Sequence, residues 1–239
     1  MDTVKFEKKG VRVVAHRGLS GIERENTNAA FIAAANRSYY GIETDIHRTA
    51  DGRFIVCHDP DLLRVAGEKL PIEEVSLALA ESVTLFDKDG CRDRADLRPS
   101  CLENYIKICK RYDKHAVLEL KSNFTDEEIA KIIEIIRGYD YLDRVTFIAF
   151  GYENLKKVRA ILPEQSVQFL FRELTDEIFE RLVADRIDVD IYHKGLTPEV
   201  VAKLHGAGLT VNCYTVDEAA RAEELVAMGV DMITSNILE

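Results

Sequence analysis

The 239-residue chain lacks several features that would have decided its class at once. It has no C-x-x-C pair, and its five cysteines (Cys57, Cys91, Cys101, Cys109 and Cys213) are an odd number. Incidental thiols in a reducing compartment are therefore expected, rather than a disulfide frame or a zinc site. No run approaches the ~18 apolar residues of a membrane span. Met1 to Gly10 is polar and charged, without the apolar centre of a signal peptide, so a cytoplasmic location is expected. Positive charge is in deficit: 32 Lys and Arg against 42 Asp and Glu give a formal net charge of -10. That balance argues against nucleic acid and against stable association with anionic membranes. It does not exclude a small anionic substrate, because local cations and a metal set the potential inside a pocket.

What is present is rhythm. Short apolar runs alternate with amphipathic segments of ten or more residues. The runs are Val11–Ala15, Gly41–Ile46, Phe54–Cys57, Ala116–Leu120, Val145–Phe150, Val167–Phe171, Ile187–Ile191, Leu209–Tyr214 and Asp231–Thr234. Several are dense in Val and Ile, as parallel strands covered on both faces are. Between them, Asn26 to Arg37 and Asp126 to Gly138 carry helical periodicity, the second with Thr125 or Asp126 as cap, and Thr197-Pro198-Glu199 and Asp217-Glu218 read as helix starts. Eight of the nine runs can serve as barrel strands. Phe54–Cys57 follows its predecessor across an Asp51-Gly52 turn, too closely for a helical crossover, and is expected to form a hairpin-like pair with it. The expected fold is α/β: a TIM (β/α)8 barrel forming a single domain over residues 1–239, with a small insertion after the second barrel strand. That insertion, about residues 60–97, breaks the rhythm. It is read as a lid over the barrel mouth, with a short helix within Ile72–Leu79.

The titratable residues fall at the carboxyl ends of these runs: His16-Arg17-Gly18, Glu43-Thr44-Asp45 and His58-Asp59. In a strand, residues at i and i+2 share a face, so Glu43 and Asp45 point into one mouth and repel unless a cation lies between them. Glu119 and Lys121 repeat the spacing on the next main strand. Glu43, Asp45 and Glu119 thus make a reasonable oxygen cage for Mg²⁺ or Ca²⁺; a salt-bridge network neutralised by Arg17 or Lys121 is the alternative. His16 and His58 alone among the six histidines directly follow apolar strand runs, and imidazoles suit proton transfer near neutral pH. His193 stays open, while His115 falls at the opposite barrel end and His205 in a helix C-terminal turn. Arg17 offers a planar cation for phosphoryl oxygens. Glu25 is placed to orient Arg17 or contact the metal, and Asn26 to cap the first helix.

Taken in order, Ala15-His16-Arg17-Gly18, Glu25-Asn26-Thr27, Gly41-Ile42-Glu43-Thr44-Asp45, Val56-Cys57-His58-Asp59, Leu118-Glu119-Leu120-Lys121 and Val211-Asn212-Cys213-Tyr214-Thr215-Val216 resemble the glycerophosphodiester phosphodiesterase family of the bacterial cytoplasmic type. Gly229 to Thr234 resembles its closing strand. The resemblance implies metal-dependent hydrolysis of glycerophosphodiesters to sn-glycerol 3-phosphate and an alcohol. His16 and His58 would then be the acid/base pair, Glu43, Asp45 and Glu119 the metal ligands, and Arg17 and Lys121 the phosphate contacts, while Tyr214 would form an aromatic wall against substrate. The attacking oxygen would be water or the substrate's own glycerol hydroxyl. Three departures bear on substrate preference: Arg24 stands where the family usually has proline, Tyr214 where it usually has tryptophan, and Val65-Ala66 where threonines are common. Two other readings keep the same pocket, a phospholipase D-like enzyme acting on lysophospholipids and a catalytically silent barrel binding a phosphorylated ligand. A homo-oligomer is left open.

Overall fold

The computed structural model describes residues 2–239. From the amino end run β1 (Arg12–Ala15), α1 (Asn28–Ala35), β2 (Gly41–Arg48) and β3 (Phe54–Val56). Short pieces follow: β4 (Asp61–Leu62), α2 (Leu63–Ala66), β5 (Glu68–Pro71), α3 (Leu77–Ser82) and β6 (Ser100–Cys101). A regular alternation completes the chain: α4 (Leu102–Arg111), β7 (His115–Leu120), α5 (Asp126–Gly138), β8 (Val145–Ala149), α6 (Tyr152–Ile161), β9 (Val167–Phe171), α7 (Asp176–Asp185), β10 (Asp188–Tyr192), α8 (Pro198–Gly206), β11 (Val211–Tyr214), α9 (Ala219–Met228) and β12 (Met232–Ser235). Strands β1, β2 and β7 to β12 pair in parallel, and β1 closes the ring by pairing with both β2 and β12. This is the expected TIM barrel.

The period-two alternation of the strands builds two cores. Val13 and Ala15 face outward into the large layer between barrel and helices, which also holds Phe31, Tyr105, Ile132 and Phe147. Val14, Val117, Ile148 and Leu170 face inward and fill the barrel beneath its mouth. Polar residues placed above that plug can reach one another across the barrel. The Phe54–Cys57 run behaves as expected: β3 lies antiparallel to the end of β2 (Ile46↔Val56, Arg48↔Phe54) and carries β6 on its outer edge.

The insertion has its own apolar centre, in which Leu62, Ile72, Leu77 and Leu85 are buried, whereas Leu63 and Leu79 are half exposed. The short helix expected within Ile72–Leu79 is broken. A 3-10 turn covers Ile72–Glu74, and Ser76, in extended backbone, caps α3 by accepting from Leu79 N. The segment is tied to the first βα loop by hydrogen bonds from Arg24 to Phe86 O and Asp87 O, and from Lys88 Nζ to Ser20 O.

Helix starts follow the sequence closely. Thr125 heads α5 with a reciprocal capping box, its hydroxyl accepting from Glu128 N while the Glu128 carboxylate accepts from Thr125 N. Thr125→Ala is expected to cost about 1 kcal/mol, read as a lower urea midpoint at unchanged slope; an unmoved midpoint would show that the box contributes nothing net. One cap differs from expectation. Thr27, not Asn26, caps α1, accepting from Ala30 N, because Asn26 is held elsewhere. All five cysteines are free, and only Cys91 is exposed. Among the described residues, no helix is long and apolar enough to cross a membrane.

Candidate active site

The end of β1 creates the first part of the site. His16 N donates to Ser235 O on β12 at 2.8 Å, and the chain then turns through left-handed backbone at Arg17 (φ 54°) and Gly18 (φ 76°). A side chain at position 18 would meet Ala30 at 2.7 Å, so the turn needs glycine there. Arg17 pays some strain to be in this conformation and is held firmly. Its N–H donates to Glu43 Oε2 (2.8 Å), Nη1 donates to Glu25 Oε1 (2.9 Å), and Nε lies 3.6 Å from Asp45 Oδ2. Glu25 therefore orients Arg17.

The acidic part rises from β2 and β7. Asp45 is directly beside Glu119 in the strand register. Glu43, Asp45 and Glu119 are buried and each offers a carboxylate oxygen within 4.8 Å of the others. Asn26, also in left-handed backbone (φ 57°), donates from Nδ2 to Asp45 Oδ2 at 2.8 Å, and its Oδ1 accepts from Thr44 Oγ1. That bridge is what removes Asn26 from the cap position. Lys121 Nζ sits 3.0 Å from Glu119 and 3.6 Å from Asp45. The two cations do not satisfy the cluster. Asp45 Oδ1 is buried without any hydrogen-bond partner. Burial, then the like charges of Asp45 and Glu119, push the Glu43 carboxyl well above its ordinary range. Burial and Asp45 push Glu119 up to about 8 against the pull of Lys121. Burial works against ionisation of Asp45 too, but Arg17, Lys121 and His58 hold it below the usual value. Three clustered carboxyls, two of them driven toward protonation and one with an unpartnered oxygen, fit a hard divalent cation with oxygen ligands.

His58 follows β3. Its Nδ1 bonds Asp59 Oδ1 at 2.7 Å, and Arg64 of the insertion clamps both Asp59 (2.6 Å) and Glu25 (2.8 Å from each of two nitrogens). Burial alone would raise the Glu25 carboxyl, but Arg64 and Arg17 hold it down to about 2. One guanidinium thus ties the His58 motif to the acid that orients Arg17. On β1, His16 Nδ1 bonds Asn236 Oδ1 at 2.7 Å, and its Nε2 lies 4.0 Å from Glu43 Oε2. Burial, then the adjacent Arg17 charge, lower His16 to about 4.

His16, Arg17, Glu43, His58 and Glu119 line one cavity of about 290 Å³ at the carboxyl ends of the strands, together with Phe150, Arg172, Asp190 and Tyr214. Asp45 and Lys121 are not among the residues that line it, although Lys121 Nζ lies 6.0 Å from the ring centre of Phe150, which does. Tyr214 presents its ring edge-on to Phe150 (6.1 Å, 87°) and donates its hydroxyl to Phe171 O. A larger cavity of about 620 Å³ lies on the other side of His16 and Arg17, but it contains neither His58 nor any of the three clustered carboxylates. The smaller one joins both histidines to Arg17, Glu43 and Glu119. Of the other four histidines, His47 on β2 has Nε2 3.2 Å from His58 O and Nδ1 3.3 Å from Ser122 Oγ, outside the cavity lining, and three lie farther off. His193 is engaged by Arg221 in a separate cavity, His115 stacks on Tyr40 at 5.0 Å, and His205 pairs with the exposed-edge Asp231 at 2.9 Å.

Arg172, Asp190 and Asn236 were not singled out from the sequence. Arg172 and Asn236 each directly follow a strand, the same position that marked His16, and Asp190 is a carboxyl inside the apolar run Ile187–Ile191. The placement signal was present, but no short motif drew attention to it.

A barrel with this constellation has many relatives. A Caldanaerobacter subterraneus glycerophosphodiester phosphodiesterase is 27% identical over 229 residues, covering 94% of this chain and 93% of its own. A Bacillus altitudinis protein of the same name is 26% identical, with 93% of each chain covered. Among solved structures, a phosphodiesterase from Oleispira antarctica, in complex with the product sn-glycerol-3-phosphate, superposes with a TM-score of 0.88 at 24% identity, covering 98% of this chain and 96% of that one. A glycerophosphodiester phosphodiesterase from Parabacteroides distasonis gives 0.81 at 26% identity, over 95% and 93%. The model of the glycerophosphoryl diester phosphodiesterase family matches residues 16–239, from the first histidine of the cavity to the last residue of the chain, and the chain belongs to that family.

Proposed function

We propose that the protein hydrolyses glycerophosphodiesters, releasing sn-glycerol 3-phosphate and an alcohol. The observation that carries this reading is the meeting of two imidazoles, one guanidinium and the carboxylate cluster around a single cavity in a chain of this family. Glu43, Asp45 and Glu119 would hold Mg²⁺ or Ca²⁺, which when bound supplies Lewis acidity at a phosphoryl oxygen.

The chain's own groups do the rest. Arg17, fixed by Glu43 and Glu25, faces the cavity and binds phosphoryl oxygens through its planar donors. Lys121, paired with Glu119 at 3.0 Å and Asp45 at 3.6 Å, is the second cation proposed to contact the phosphate. His16 and His58 share the proton traffic: one takes the proton of the attacking oxygen and the other gives a proton to the departing alcohol. Tyr214 and Phe150 form an aromatic wall that excludes water from one side of the substrate. The segment 60–97 is anchored through Arg64 to both Glu25 and Asp59, and through them selects the substrate's alcohol or glycerol side.

Glycerophosphocholine and lysophosphatidylcholine offered side by side, with Mg²⁺ or Ca²⁺ and a chelator control, test this. Turnover of glycerophosphocholine that stops on chelation is expected. Faster cleavage of the lysophospholipid would move the substrate class, and turnover of neither would remove the proposal.

A further inference from the structure

The ring nitrogen of His16 that faces away from the cavity is held by a relay from the far end of the chain. Residues 16 and 236 each directly follow strands that are neighbours in the barrel, with Ala15 opposite Ser235 in the register. Asn236 Oδ1 lies 2.7 Å from His16 Nδ1. Behind Asn236 stands Asp217, in the loop between β11 and α9. Its Oδ2 accepts from Asn236 Nδ2 at 2.6 Å, and its Oδ1 accepts from Asn236 N at 2.8 Å and from Ser235 Oγ at 3.0 Å. Ser20 Oγ lies 2.7 Å from both the same Asn236 Oδ1 and the His16 carbonyl oxygen.

Donor and acceptor chemistry leaves one arrangement. An ionised carboxylate only accepts, so Asp217 must face the amide nitrogen of Asn236. The amide oxygen therefore faces His16, and a carbonyl oxygen also only accepts. His16 Nδ1 must then carry the proton, and the lone pair of the neutral ring is on Nε2, the nitrogen nearer Glu43. A flipped Asn236 would set its amide oxygen against the Asp217 carboxylate oxygen 2.6 Å away and lose that bond; its NH₂ could still donate to a bare Nδ1 or to Ser20 Oγ, so it is Asp217 that fixes the amide and, through it, the ring.

We infer that Asp217 and Asn236 are positioning residues that lock His16 in its Nδ1–H tautomer, so that the neutral ring enters the reaction only as a proton acceptor through Nε2. Neither touches the carboxylate cluster, and neither acts on substrate. The relay fixes one of two ring tautomers that the cavity by itself would not distinguish, and in water a neutral histidine side chain favours the other, Nε2–H. The catalytic consequence rests on the acid/base role proposed for His16; the tautomer itself does not.

The test separates the two. Uniformly ¹⁵N-histidine-labelled full-length protein at neutral pH, without substrate, gives one pair of ring-nitrogen signals for each of the six histidines, and loss of one pair in His16→Gln assigns His16. The wild-type ring is expected to show a protonated Nδ1 and a bare Nε2. In Asn236→Ala the balance should move toward Nε2–H, with kcat on glycerophosphocholine lower by roughly 10- to 100-fold and KM within about 3-fold. Asp217→Asn, which keeps size and shape, should give a mixed signal and an intermediate loss. A wild-type His16 bearing its proton on Nε2 overturns the inference. So does an Nδ1–H signal unchanged in both variants. If Asn236→Ala does not fold, the wild-type and Asp217→Asn spectra decide. If the wild-type enzyme cleaves no glycerophosphodiester, the proposed activity fails while the tautomer is still read directly.

Discussion

His16→Ala and His58→Ala are each expected to lower kcat by at least roughly two orders of magnitude with the fold intact, since a positioned proton-transfer group contributes about 10²–10⁴-fold. Both side chains border the cavity rather than the apolar layers, so truncation removes chemistry and little packing. His16 has 17% and His58 32% of its side chain exposed. The fold can be checked by circular dichroism and thermal melting before rates are compared. The double variant should lose far less than the product of the two single losses, because groups that act in one proton relay are not additive once the first is gone. A single variant within about 3-fold of wild type would strip that histidine of its role, and strictly multiplicative losses would show two independent contributions instead of one coupled pair.

The second large effect is on stability. The carboxylate trio is held together by the fold against its own repulsion, and Asp45 Oδ1 has no hydrogen-bond partner, only the Lys121 ammonium 3.6 Å away. A ligand that binds only the native state stabilises it by RT ln(1 + [L]/Kd), about 2.7 kcal/mol at a hundredfold excess over Kd. For a chain of this size that corresponds to a melting temperature roughly 5–10 °C higher. Mg²⁺ or Ca²⁺ titrated into chelator-treated protein should produce such a shift. Glu43→Gln preserves the side-chain oxygen that accepts from Arg17 N and removes one charge, so it should keep the metal-free melting temperature near or above that of wild type while cutting the metal-induced shift to less than about a third. An equal shift in Glu43→Gln, or none in wild type, would count against the cage.

The repeating architecture was legible because each of its signals is local. Val13 and Val145 sit in runs that only a doubly covered strand tolerates, Thr125 and Thr197 announce helices one residue before they begin, and Asp51-Gly52 excludes a crossover between β2 and β3. The spacing of Glu43 and Asp45 places both on one face by strand geometry alone. Where two local signals competed, the sequence could not arbitrate. Asn26 and Thr27 are both good cap residues, and the bridge from Asn26 to Asp45 and Thr44, which depends on β2 lying beside the first loop, sent the cap to Thr27. The helix expected within Ile72–Leu79 failed for a similar reason, since its apolar residues serve an insertion core that periodicity does not describe.

By itself the sequence determined which chemical groups would be available and at which end of which strand, because side-chain alternation and strand termination are set within a few residues. Only the tertiary structure decided which of those groups meet. The closing of β12 onto β1 brings Asn236 to His16 across 220 positions, and Arg64 joins Glu25 to Asp59 from an insertion with no regular period. Those contacts depend on ring closure and loop packing, which no window of neighbouring residues contains, and they set the orientation of Arg17 and the proton position on His16.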